Sequence, residues 1–300
     1  MTAAKNNFRV PKKLNENGHE MSFFISSELS YQVGARSTIL LNIHALASES
    51  QTLVDEKFTV TEGCDCEFFY LGFGQNRFVR IDTHEVSDLL IIYEAEARTN
   101  PSSLRIQNIN EVPILEMSPD ALPYLFPSRY CESDKLGNEA RNLFGHINHP
   151  LEQASQIAEW IYQNLSYEIG SSDASTSAFD TYQQRAGVCR DFAHLAIAFC
   201  RSLSIPARYF TGYACNMVPP DFHACFEVCV GNNWYLFDAT RLSSPNGLVR
   251  ISSGRDAADS AVATIYGDVT LQSSKVSCTS PDFVAPTNDE LEGKAIQLGA

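Results

Sequence analysis

The sequence predicts an α+β fold, and three observations carry that prediction. Between about residues 21 and 100, apolar and polar residues alternate along short runs. Three- and four-residue helical spacing takes over from about Lys135 to Leu203, and alternation returns at Phe222. Several short strands in succession with few helical signals read as an antiparallel β-sandwich, so a sandwich precedes a region of helices and strands.

Residues 1–20 are rich in Asn and Lys and lack periodicity, which predicts a flexible arm. They contain no apolar run, so no secretory signal is expected there. The sandwich is assigned to residues 21–100. Its clearest strand sets Leu89, Ile91, Tyr93, Ala95 and Ala97 on one face and Glu94, Glu96 and Arg98 on the other. Pro101, Pro113, Pro119, Pro123 and Pro127 mark residues 101–130 as an ordered, proline-rich connection.

A second region, of helices and strands, is assigned to residues 131–278. Pro150 can open a helix whose apolar stripe is Ala154, Ile157, Ala158, Ile161 and Leu165. Residues 164–172 read as loop, and Ser175 or Ser177 can cap a short helix that runs to Gln184. A third helix begins at Cys189 and buries Phe192, Leu195, Ala196, Phe199 and Leu203. Strands follow at Ala207–Tyr213 and Phe222–Val230. A turn at Asn232-Asn233 then returns the chain as a strand from Trp234 to Asp238. Residues 279–300 are polar and read as a frayed C-terminal tail.

Acidic residues outnumber basic ones 36 to 22, for a net charge of −14, which disfavours nucleic acid as a partner. No stretch approaches the ~18 apolar residues of a membrane span, so no membrane partner is expected. The nine cysteines are an odd number scattered through apolar segments, which argues against a disulfide framework and for the cytoplasm. Neither a P-loop nor a dinucleotide glycine pattern occurs, and no cofactor is expected. Metal is not expected either. Cys64-x-Cys66 forms no CxxC pair, and Cys225 and Cys229 on one strand would stand ~13 Å apart.

The chemistry gathers around Gly187-Val188-Cys189-Arg190-Asp191-Phe192-Ala193-His194. Cys189 falls in the first turn of its helix, where unpaired N–H groups and the helix dipole favour a thiolate. Asp221-Phe222-His223-Ala224 and Phe237-Asp238-Ala239-Thr240 follow, supplying a base and a carboxylate in the order Cys, His, Asp. These motifs, with Ile205-Pro206-Ala207-Arg208-Tyr209 and Gly212-Tyr213 between them, resemble the bacterial branch of the transglutaminase-like superfamily. Residues 254–259 and 263–267 resemble one subset of it, and residues 21–100 resemble its N-terminal β domain.

The resemblance implies a papain-like fold, with helices packed on an antiparallel sheet and Cys189, His223 and Asp238 as a triad. It implies a cysteine-dependent hydrolase of a peptide, a protein or another amide, such as an isopeptide. Acyl transfer to an amine and a peptide-binding relative without turnover are the alternatives. Simple strand register is at odds with the triad. A turn at Asn232-Asn233 puts Glu227 opposite Asp238 and leaves His223 offset by about four residues, ~13 Å. Glu227 is therefore a rival for orienting His223. The Cys189 N–H is a natural oxyanion donor, and Gln183, six residues upstream, is a candidate second donor. Asp191 is expected to cap or brace the first turn. His194 points some 140° away from Cys189 around an ideal helix and is expected to orient a neighbouring strand or loop.

Overall fold

The computed structural model describes residues 2–3, 20–71 and 76–298. The expected arm therefore lies outside the described residues, apart from Glu20 and the short strand β1, Thr2–Ala3. The front of the chain is all strand: β2 Met21–Val33, β3 Thr38–Leu41, β4 Gln51–Val60, β5 Asp65–Leu71, β6 Asn76–Asp82, β7 Asp88–Thr99 and β8 Ser102–Arg105. Helices follow as α1 Gly137–Phe144, α2 Pro150–Asn164, α3 Ala178–Gln184 and α4 Cys189–Ser202, with the two-residue strands β9 Ser166–Tyr167 and β10 Ala186–Gly187 between them. The chain returns to strand at β11 Ala207–Ala214, β12 Phe222–Val230, β13 Asn233–Phe237 and β14 Leu248–Gly254. It ends with α5 Ala257–Ser260, β15 Ala263–Tyr266, β16 Val269–Thr279, α6 Asn288–Leu291 and β17 Lys294–Gln297.

Two antiparallel sheets face each other at the front, in the orders β1-β4-β7-β2-β16 and β15-β3-β6-β5. Their alternating inward residues form one core, among them Phe23, Ile25, Ile39, Leu41, Val79, Ile81, Leu89 and Ile91. This is the α+β arrangement the periodicity predicts, sandwich first. The same core continues into the catalytic sheet through Tyr213, Val249 and Ile251. Hydrogen bonds fix the join: the Tyr213 hydroxyl donates to the Ile43 carbonyl at 2.8 Å. Asn76 and Ser253 exchange a reciprocal side-chain-to-backbone pair.

The third sheet runs β14-β11-β12-β13-β17-β8, and α4 packs across it beneath α1, α2 and α3. Helix α4 is buried on nearly every side from Asp191 to Arg201, because helices cover one flank and the sheet covers the other. Its polar side chains are therefore all engaged with backbone. Arg201 donates to the carbonyls of Phe126, Ala207 and Arg255, which holds the proline-rich connection against the helix. Tyr124 in that connection is buried, whereas Phe126 is exposed.

The back of the chain departs from the expected boundaries. Strand β16 pairs along β2, and β15 pairs with β3, so residues 263–279 complete the two front sheets. The expected frayed tail instead carries β17, which enters the catalytic sheet between β13 and β8 with Ala295 and Ile296 buried. Strand pairing to partners far away in sequence supplies this order, and local polarity does not report it.

One feature of the sandwich core predicts acid sensitivity. His44 lies among Phe58, Phe68 and Tyr93, and both ring nitrogens are buried without a hydrogen-bond partner among the described residues. Burial, with the Arg77 charge nearby, pushes its imidazole down to about 3. Burial also holds His194 well below the usual histidine range. Both are neutral when folded and protonate when unfolded, so their contribution is complete above pH 6.5 and is lost as pH falls. For His44 the cost should be about 2 kcal/mol between pH 6.5 and 5, and His194 acts in the same direction, in a window where carboxylates with lowered values stay ionised. Urea unfolding across that window should show the loss, and His44→Leu should shed about 2 kcal/mol of it. An undiminished pH slope in the variant would contradict this account.

Candidate active site

The start of α4 is built by Asp191. Its Oδ2 accepts the Val188 backbone N–H at 2.9 Å, and the Ser172 hydroxyl donates to the same carboxylate. Asp191 is fully buried, and this contact fixes the turn that presents Cys189. Gly187 is needed for it, since a Cβ there would stand 2.7 Å from the Asp191 Cβ. Asp191 thus ties the loop before α4 to the first turn of the helix. Cys189 itself is the first residue of the helix and is half-buried.

His223 and Asp238 meet because the hairpin turn lies one residue earlier than expected, which shifts the strand pairing by two residues. Val230 pairs with Asn233 and Phe226 with Phe237, so the turn residues are Gly231 and Asn232. Both hold positive φ, at 60° and 61°, as the two-residue turn that matches strand twist requires. A Cβ on Gly231 would stand 2.8 Å from the Asn110 carbonyl, and the Asn232 side chain accepts the Ser118 N–H. The connecting segment therefore selects this turn over Asn232-Asn233. Continuing the register puts Asp238 opposite Cys225 and one diagonal step from His223, within reach on the same face.

The contact that results is short and buried. His223 Nε2 and Asp238 Oδ2 are 2.9 Å apart, with side-chain exposures of 0% and 3%. Asp238 also accepts from the Thr240 N–H and hydroxyl at 2.8 and 2.7 Å, and from the Ser243 N–H at 3.2 Å. Burial alone would lower the imidazole, but Cys225, Asp238 and Cys189 outweigh it and hold His223 well above its ordinary value. Burial likewise opposes the Asp238 charge, and His223 and Thr240 overcome it, so the carboxyl titrates below the usual range. With Nε2 taken by Asp238, Nδ1 is the nitrogen left to the thiols, and both Cys189 and Cys225 lie beside the ring.

Glu227, the rival orienter, is engaged elsewhere. It accepts from Arg208 at 2.7 Å and from Arg250 at 2.6 and 2.8 Å, across three strands. Gln183 is exposed on α3. The ring of His194 stacks between Tyr130 and Tyr209, and its Nε2 accepts the Ala257 N–H at 3.1 Å, which ties α4 to α5.

Two residues near the site went unassigned in the sequence. Cys225 sits with His223 and Asp238, donor atoms within 4.8 Å of one another. Its position two residues past His223 on one strand was the available signal. The second is Tyr167, whose hydroxyl lies beside Cys189. It lies in a stretch read as loop, and only the β9–β10 pairing brings it there. The His, Cys and carboxylate donors could suit zinc by type, yet His223 and Asp238 already spend their facing atoms on each other.

Residues 138–239 match the transglutaminase-like superfamily, and residues 21–120 match the bacterial transglutaminase N-terminal domain. The crystal structure of a candidate cysteine protease from Cytophaga hutchinsonii is 46% identical, covering 94% of this chain and 98% of that one, with a TM-score of 0.90. An uncharacterized protein of Mycobacterium leprae is 32% identical over 124 residues, 38% of this chain and 44% of the relative. One from Mycobacterium tuberculosis is 39% identical over 70 residues, 23% of this chain and 22% of the relative. The matches thus span less than half the length of these mycobacterial relatives.

The cytoplasmic expectation is withdrawn. Solved structures with similarity to this chain include the periplasmic domain of TgpA from Pseudomonas aeruginosa, at 14% identity and a TM-score of 0.36, covering 75% of this chain and 91% of that domain. That likeness is too distant to give this chain a compartment, and none is assigned. Among the described residues, no helix is long and apolar enough to cross a membrane. The close match along nearly the whole chain, with both family matches in order, makes this protein a member of the bacterial transglutaminase-like superfamily, with its N-terminal β domain.

Proposed function

We propose that the chain is a cysteine-dependent amide hydrolase, a peptidase or isopeptidase, that works through a thioester on Cys189. The observation that carries this reading is the buried 2.9 Å His223–Asp238 bond beside a half-exposed cysteine at a helix start. The kinship with a candidate cysteine protease supports it. In this reading His223 Nδ1 takes the Cys189 proton, and the thiolate attacks the carbonyl carbon. The imidazolium then gives its proton to the departing amine. Asp238, fixed by Thr240 and Ser243, orients the ring and stabilises its charge. Water next attacks the thioester, with the neutral imidazole as base. Asp191 and His194 act as positioning residues behind this machinery. The substrate is a peptide, a protein or another amide.

The organisation we infer has a front β unit that begins at about residue 21 and is completed by the strands at 263–279. The connection at 101–130 leads to the catalytic helices and sheet.

Hydrolysis is favoured over acyl transfer by where the tryptophans sit. A transferase must hold an amine at the thioester and keep water away, and desolvation is the means. Trp160 packs among Phe144, Tyr182 and Phe199, and Trp234 lies between Tyr124 and Arg208. Neither roofs Cys189. Turnover of an amide substrate with a labelled primary amine present should therefore yield mostly free acid. Predominant amide product at millimolar amine would replace the hydrolase with a transferase.

A further inference from the structure

A tetrahedral intermediate on Cys189 needs donors for its oxyanion, and the Cys189 N–H is only one. The other polar side chains around the thiol are committed. The Arg190 guanidinium donates to the Asp173 carbonyl and contacts Asp191, and the Ser172 hydroxyl donates to Asp191. Gln183 faces solvent.

Tyr167 is differently placed. Its backbone is pinned in the parallel β9–β10 pair, directly beside Gly187, with the Ser166 N–H on the Arg185 carbonyl and the Glu168 N–H on the Gly187 carbonyl, both at 2.9 Å. Its ring meets Phe192, on the first turn of α4, edge-on at 5.8 Å. Its hydroxyl lies beside the backbone N–H and the thiol of Cys189. The side chain remains 40% exposed, so it can turn about its own bonds while its backbone stays fixed.

We propose that the Tyr167 hydroxyl is the second oxyanion donor, acting with the Cys189 N–H; this rests on the hydrolase reading above. In the resting site the phenol oxygen lies near the Cys189 N–H, the place an incoming carbonyl oxygen must take. When the thiolate attacks, the C–S bond forms and the carbonyl π pair moves onto oxygen. That oxygen accepts one hydrogen bond from the Cys189 N–H and a second from the phenol, which has only to turn about its own bonds to give it. Collapse restores the carbonyl and expels the amine, protonated by His223, and the phenol keeps its proton throughout. Burial, with the neighbouring thiol, pushes the Tyr167 hydroxyl up to about 12, so it stays a donor at neutral pH.

Tyr167→Phe removes the hydroxyl and keeps the ring on Phe192. Two reactions of Cys189 separate the roles: acylation by p-nitrophenyl acetate, read as a nitrophenolate burst over a Cys189→Ala background, and alkylation by iodoacetamide. Acylation passes through an oxyanion, whereas alkylation is displacement at a saturated carbon and does not. The burst rate should fall about 10²–10³-fold while alkylation is unchanged. An unchanged or faster burst would overturn the proposal and make the phenol a bystander or a plug. Equal loss of both reactions would also overturn it, by making Tyr167 a positioning residue for the thiol. A wild-type protein without any burst would remove the hydrolase reading itself, and this proposal with it.

Discussion

Cys189→Ala should lower amide hydrolysis by about 10⁴–10⁶-fold, whereas Cys225→Ala should leave turnover within about tenfold of wild type. Both thiols lie beside His223, so proximity to the base does not choose between them. Access and ionisation do. Cys225 is 1% exposed, packed with Phe210, Leu236 and Leu248, and burial pushes its thiol up to about 12. A substrate carbonyl has no approach to it, and a thiolate there lacks solvation. Cys189 is half-buried at the first residue of a helix, where a substrate can reach the sulfur. Kinetics on the two variants, with iodoacetamide mapping of the wild type, decides the matter. Loss of activity in Cys225→Ala alone would transfer the nucleophile to Cys225.

The parts of this molecule that were legible in its sequence are those set by local period and spacing. The Leu89–Ala97 alternation, the Pro150 helix and the Cys189 helix report burial that repeats every two or three to four residues. The triad residues were legible through motif spacing, but the bond between His223 and Asp238 was not. It depends on a one-residue choice of turn, and the Asn110 carbonyl, remote in sequence, makes that choice. Tyr167 was hidden for a similar reason: a two-residue strand has no period to read. Strands β15, β16 and β17 owe their places to partners in β3, β2 and β8, so no local pattern could assign them to a sheet. Glu227 is the reverse case. Its place opposite Asp238 in the simplest register makes it a rival for orienting His223, and only the neighbouring strands show its two arginines.

Those arginines give the second large effect, and it is on stability. Glu227 is fully buried, bonded to Arg208 of β11 and Arg250 of β14, so one carboxylate ties three strands of the catalytic sheet. Burial alone would raise its carboxyl, but the two guanidiniums outweigh that and push it down to about 2. Glu227→Gln keeps the shape and removes the charge, leaving two buried cations to repel each other across a neutral amide. Unfolding in urea should show a loss of about 3–5 kcal/mol, the cost of breaking a buried ion pair from one side. The combined change Arg208→Met, Glu227→Leu and Arg250→Met should recover most of it, because removing all three charges also removes the desolvation cost. Hydrolysis by Glu227→Gln, measured where it is fully folded, should persist, since Asp238 and not Glu227 bonds His223. A stability loss no larger than a surface substitution's, about 0.5 kcal/mol, would show that the arginines do not depend on this carboxylate. Intact stability with abolished turnover would instead return Glu227 to the catalytic machinery.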